Sequence, residues 1–250
     1  MNKYLLTGAA LAVAIAGGVA VARTGPAPAR LAGYLAPGAI DGALVIGPPP
    51  AADSPRGQAD RAIYLATRSE EGSARWKQAI QDNDLWRGGA MARMSCALGA
   101  AVDAKAAPRT HRLLQRVELD VRTVGTPPKD HFNRTRPPIG DDRPICVKRE
   151  DWLKTNASYP SGHAMAGWAW GLILAELAPK KAGALMEAGG AIGDSRVICG
   201  VHYPSDVEAG RQLGAVMVAR LHAEPAFEKD LAAAKTELAR DHTAPQGCGV

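Results

Sequence analysis

The chain has 250 residues, 46% hydrophobic and only 5% aromatic, with 30 Lys and Arg against 25 Asp and Glu for a net charge of +5. That length supports one substantial core in one domain or two, and the scarcity of Val, Ile and aromatic runs disfavours a sheet-rich fold. The basic excess is mild and forms no Lys/Arg block, so it suits a small anionic ligand and argues against a nucleic-acid polymer.

In chain order, Lys3 and the apolar run from Tyr4 to Ala22 resemble an export signal, with "AVA" at 20–22 as a small-x-small cleavage site. Cleavage after Ala22 is expected. Cleavage after Ala29 or a retained membrane anchor remains open. Removal of residues 1–22 leaves no stable membrane span, and the mature protein is expected to be periplasmic or secreted. Residues 23–56 are rich in Pro, Gly and Ala and read as an extended lead-in. A helical domain follows over 57–243, with a tail at 244–250.

Helical periodicity begins near Gln58, where Ile63, Ala66 and Thr67 share a face, and continues through "SARWKQAIQDNDLW". Residues 88–102 read as a buried helix. Residues 108–125 read as an amphipathic helix with a leading Pro and with Leu113, Leu114, Val117 and Val121 on one face. The polar, Pro-rich stretch that follows, up to Trp152, contains loop. Further helices are expected over 162–179, over 180–200 with glycines that permit close packing, over 203–223 and over 225–242. The architecture is an all-α bundle of roughly seven to nine helices. Cys96, Cys146, Cys199 and Cys248 are an even count in an exported chain, which favours two disulfides in one of three pairings. No Cys or His pair has metal-ligand spacing, so no metal or other cofactor is expected.

Three clusters carry candidate chemistry: "KDHFNRTRP" from Lys129, "PSGH" from Pro160, and "SRVICGVHYPSD" from Ser195. Singly each has an ordinary reading as a solvated face, a capped helix start or a surface pair. Together they hold the parts for cleaving a phosphate monoester. Lys129, Arg136 and Arg196 can hold the charged oxygens, and amides at a helix start add an anion cradle. One neutral His can attack phosphorus while a protonated one serves the leaving oxygen. Pro204 suits the first turn of a helix, so Asp206 should lie one turn in and reach back to His202.

The pattern K-x6-R-P, P-S-G-H and S-R-x5-H-x3-D resembles the phosphatidic acid phosphatase type 2 superfamily. The surrounding residues resemble the bacterial class A nonspecific acid phosphatases, from about Gln58 to Arg240. The resemblance implies an all-helical acid phosphatase or vanadium haloperoxidase-like fold. It implies a secreted, metal-independent acid phosphatase of broad specificity for small-molecule phosphate monoesters, in a homodimer, with transfer to alcohols as a side activity. It also implies His202 as a nucleophile forming a phosphohistidine, Asp206 as its orienting partner, and His163 as general acid and then base. By the same resemblance, Lys129, Arg136, Arg196, Ser161 and the Gly162 amide are expected to form a phosphate clamp. Ser195 belongs to the motif without an assigned role. Arg134 is expected behind the site or exposed. "NRT" at 133 and "NAS" at 156 match a glycosylation pattern by chance, and Ala164 stands where many class A enzymes have Thr.

Overall fold

The computed structural model describes residues 31–240 and 242–248. The expected export segment and both candidate cleavage sites lie outside them. Among the described residues there are ten α-helices and no strand: α1 Gly42–Ile46, α2 Pro55–Ala66, α3 Ala74–Asp82, α4 Ala90–Leu98, α5 Pro108–Phe132, α6 Trp152–Thr155, α7 Gly162–Leu177, α8 Ala182–Ile198, α9 Pro204–Leu221 and α10 Pro225–Leu238. Two of them, α1 and α6, are about one turn long. No helix among the described residues is long and apolar enough to cross a membrane.

Helix α7 is apolar on every side, and a helix of that kind belongs in a core. Met165, Ala169, Trp170, Ile173 and Leu174 are fully buried, and α4, α5, α8, α9 and α10 pack around the helix. The closest approach is to α8, where a Cβ on Gly189 would fall 2.5 Å from the Gly167 carbonyl oxygen. The glycines expected to permit close packing in α8 therefore meet backbone directly. Helix α9 crosses the start of α7 in the same manner, since a Cβ on Gly210 would fall 2.5 Å from the Ser161 carbonyl oxygen.

The structure differs from the sequence expectation at three places. Residues 31–56 are not simply extended. Tyr34 and Leu35 donate their amides to the buried Asp120 carboxylate at 2.9 Å, and α1 starts where the Asp41 side chain accepts from the Leu44 amide at 3.0 Å. Helix α3 stops at Asp82, because Asp84 folds back to accept from the Trp86 and Arg87 amides at 2.8 and 2.9 Å. Helix α5 runs seven residues past Gly125, through Pro127 and Pro128. Those prolines supply no N–H to the carbonyls one turn back, which alone would end the helix. Burial of Val124, Gly125 and Pro128 along the face that packs on α7 and α1 overrides that preference. Lys129 consequently stands in the last turn of a helix.

Two disulfides join Cys96 to Cys248 and Cys146 to Cys199, resolving the pairing that the sequence left open. The second ties the loop after α5 to the end of α8, joining the stretch between the first two motifs to the middle of the third.

Candidate active site

The three motifs arrive at one place by different routes. Lys129 comes from the last turn of α5 and Arg136 from the loop beyond it. His163 lies in the first turn of α7, Arg196 near the end of α8, and His202 and Asp206 flank the start of α9. Lys129, Arg136, Gly162, His163, Arg196 and His202 all line one cavity of about 480 Å³. Ser161 and Asp206 are buried directly behind it. Leu85, Val121, Met165 and Trp152 also line the cavity, with Glu118 and Arg122 paired at 2.8 Å.

Asp206 is the third residue of α9 and accepts the Tyr203 amide at 2.7 Å, an N-terminal cap that also aims its carboxylate backward. The same oxygen receives Ser158 Oγ at 2.5 Å and lies 3.3 Å from His202 Nδ1. The other oxygen accepts from Arg134 Nη1 at 2.6 Å, and Arg134 also binds Asp60 at 2.8 Å. Arg134 thus stands behind the site, as expected, and holds the carboxylate rather than a ligand. With the proton on Nδ1 facing Asp206, His202 Nε2 accepts from Arg136 Nη1 at 2.9 Å.

The cations are held by carbonyl and amide oxygens, so none is paired with a carboxylate ahead of a ligand. Lys129 Nζ donates to the Ala157 carbonyl at 2.6 Å. Arg136 donates to the Asn156 carbonyl and side chain at 2.7 and 2.9 Å and lies 5.0 Å over Trp152. Arg196 donates to Asn83 Oδ1 at 2.6 Å, and its buried Nε has no protein partner. Burial, followed by the nearby Arg136 charge, pushes Lys129 down to about 7. Burial and then the neighbouring cations also hold both His163 and His202 well below the ordinary histidine range. A cavity that penalises its own positive charges in this way favours an anion.

At the start of α7, Ser161 Oγ accepts from the Ala164 amide at 3.4 Å, and the Ser161 amide donates to the Asp206 carbonyl at 2.9 Å. That second bond joins the PSGH segment to α9. A Cβ on Gly162 would meet no atom within 4 Å, so the missing side chain leaves open space beside the helix N-terminus. His163 Nε2 lies 3.0 Å from the Asn83 carbonyl.

All eight residues singled out in the sequence converge on this site. Sequence reasoning missed Asn83, Asn156 and Ser158. The "NAS" triplet at 156–158, dismissed as a chance glycosylation match, holds Arg136 at one end and Asp206 at the other. Its position two residues before PSGH was the available signal. Asn83 had none, being 80 residues from His163 and 113 from Arg196.

Residues 121–226 match the PAP2 superfamily. The chain is 36% identical over 205 residues to an acid phosphatase of Zymomonas mobilis, covering 81% of this chain and 77% of that protein. It is 38% identical over 204 residues to a non-specific acid phosphatase of Providencia stuartii, covering 81% and 82%. The fold is similar to that of a bacterial vanadium-dependent iodoperoxidase, with a TM-score of 0.50 at 20% identity over 70% of this chain and 53% of that one. Similarity of this extent, carried by a helical scaffold with all three motifs on one cavity, makes the chain a phosphatase of the PAP2 superfamily, belonging to its bacterial class A non-specific acid phosphatases.

Proposed function

We propose that the chain hydrolyses small-molecule phosphate monoesters in two steps through a phosphohistidine at His202, without a metal ion. The observation that carries this reading is the arrangement around His202: a carboxylate on Nδ1, and Nε2 directed into a cavity lined by three cations and a second histidine.

In the first step Arg136 Nη1 turns from Nε2 to the phosphate oxygens, the freed Nε2 lone pair attacks phosphorus, and the bond to the leaving oxygen breaks. Asp206 supports the positive charge that develops on the ring. Arg136, Arg196 and Lys129 stabilise the equatorial oxygens, with the α7 amides and the Ser161 hydroxyl as further donors. Protonated His163 gives its proton to the leaving alkoxide or phenolate. In the second step neutral His163 takes a proton from water, which attacks the phosphohistidine and releases inorganic phosphate. An alcohol in place of water would receive the phosphoryl group, which is the proposed phosphotransferase side activity.

The low basicity of His202 suits this role, because the ring stays neutral and nucleophilic in acid. His163 is harder to protonate in the free protein, but the negative charge of a bound phosphate group offsets the cations that oppose it. Two disulfides support the reading of an exported protein acting in the periplasm or outside the cell.

Turnover of p-nitrophenyl phosphate by wild type, His202→Ala and His163→Ala, with and without EDTA, tests the proposal. EDTA should have no effect, and each variant should lose about 10³-fold or more. Acid quench of His163→Ala with an activated ester should trap labelled phosphohistidine. An active His202→Ala protein would refute the mechanism.

A further inference from the structure

Ser195 is the motif residue that phosphoryl transfer leaves without a task. It is fully buried on α8, and its Oγ lies 2.5 Å from Asp82 Oδ2 and 2.9 Å from the Ala191 carbonyl, while accepting from Arg75 Nη1 at 2.9 Å. Asp82 is also fully buried and receives Arg93 at 3.0 and 3.2 Å. The neighbours in sequence of these two residues form the next contact. Asn83 follows Asp82, Arg196 follows Ser195, and Arg196 Nη1 donates to Asn83 Oδ1 at 2.6 Å. The Asn83 carbonyl then accepts from His163 Nε2 at 3.0 Å. Two dipeptides, Asp82-Asn83 at the end of α3 and Ser195-Arg196 on α8, are therefore bonded residue to residue beside the cavity.

We infer that Asn83 is a positioning residue for the chemical step, orienting the proton donor with its backbone and the phosphate-binding guanidinium with its side chain. Ser195 acts one bond further out, by anchoring Asp82 and so the end of α3. The inference rests on the proposed roles of His163 and Arg196.

The chemistry of the contacts favours orientation over simple filling. An amide oxygen satisfies one guanidinium N–H while leaving the positive charge intact for phosphate, whereas a carboxylate would neutralise it. With Nη1 committed to Asn83 and Nε buried without a protein partner, the fork is pinned on one side and unsatisfied on another. A carbonyl acceptor keeps hydrogen on Nε2 and favours the protonated ring, which leaves Nδ1 to carry the proton that the acid gives up. The charged and titratable groups that face His163 are Arg196 from α8, Lys129 from α5, Arg136 from the loop after it, and His202 before α9. All are basic. Glu118 and Arg122 line the same cavity and are paired with each other. A negative charge at position 83 would thus be new to the surroundings of His163.

The test measures kcat and KM for p-nitrophenyl phosphate from pH 3 to 8 in Asn83→Ala, Asn83→Asp, Ser195→Ala and Ser195→Thr, beside His163→Ala and Arg196→Ala. Asn83→Ala keeps the carbonyl and frees the guanidinium, so kcat/KM should fall about 10–100-fold with the alkaline limb unmoved. Asn83→Asp keeps an acceptor for Arg196 but adds charge, so KM should rise and the alkaline limb of kcat/KM should move to higher pH. Ser195→Ala should lower kcat in the direction of Asn83→Ala, and Ser195→Thr, which retains the hydroxyl, should restore most of it. Asn83→Asp is nearly isosteric and decides the matter alone if Asn83→Ala does not fold. Wild-type kinetics and an unmoved limb in the Asn83 variants, with His163→Ala and Arg196→Ala inactive, would overturn this inference only. Activity in His163→Ala would instead overturn the reading on which it rests.

Discussion

His202 is held by a carboxylate four residues along the same helix start, whereas His163 is held by a carbonyl 80 residues away in the chain. The first arrangement is heavily supported. Asp206 collects Ser158, the Tyr203 amide, Arg134 and His202, and Asp60 backs Arg134. The second has one acceptor on an irregular segment between α3 and α4. The proposed nucleophile thus has a buried ionic network that fixes its tautomer, while the proposed acid has a neutral partner that leaves its protonation responsive to the ligand. A nucleophile needs one constant protonation state, and an acid must lose and regain a proton in every cycle.

The strongest way to break the contrast is Asp206→Asn, which preserves shape while removing the charge. The amide could turn its NH2 toward His202, forcing the wrong tautomer, and kcat should fall by about 10⁴-fold by analogy with other histidine–carboxylate pairs. A loss below tenfold in steady-state turnover would show that the carboxylate does not set the state of the ring. Next in size is Arg134→Ala. Removing this cation leaves Asp60 and Asp206 facing one another in the interior, and urea denaturation should show a loss of about 3–5 kcal/mol. A loss under about 1 kcal/mol would demote the network to an incidental one.

The smallest expected effect is the most specific to the acid side. The proposed mechanism uses His163 and Lys129 in their protonated forms, and both are shifted downward in the free protein, Lys129 to about 7. Activity should therefore fall as pH rises through those lowered values. A bound phosphate dianion raises them, so the alkaline limb of kcat should lie at higher pH than that of kcat/KM, by about one unit or 1.4 kcal/mol. The proposed nucleophile, His202, is needed in its neutral form, and its downward shift should preserve activity well below pH 6.5. Coincident alkaline limbs would mean that the ligand does not control protonation of His163.

Much of the site could be read before any fold was known, because its parts obey short-range rules. Pro204 at the first position of a helix places Asp206 in the first turn with its carboxylate pointing back, and Ser161 before an apolar run marks a capped helix start. The all-helical architecture followed from composition and periodicity in the same manner. The helix through Pro127 and Pro128 could not be read, since both residues argue locally for a break and only burial against α7 and α1 outweighs them.

Residue spacing and local backbone chemistry thus indicated which side chains gather at one cavity and how Asp206 meets His202. Tertiary packing alone decided the pairing of the cysteines, the ionic support from Arg134 and Asp60, and the place of Asn83. Those contacts depend on how closely helices approach, and that is set by backbone meeting backbone at Gly167, Gly189 and Gly210. Side chains separated by 53 to 152 residues meet only once those helices have docked, and nothing in their local sequence records the meeting.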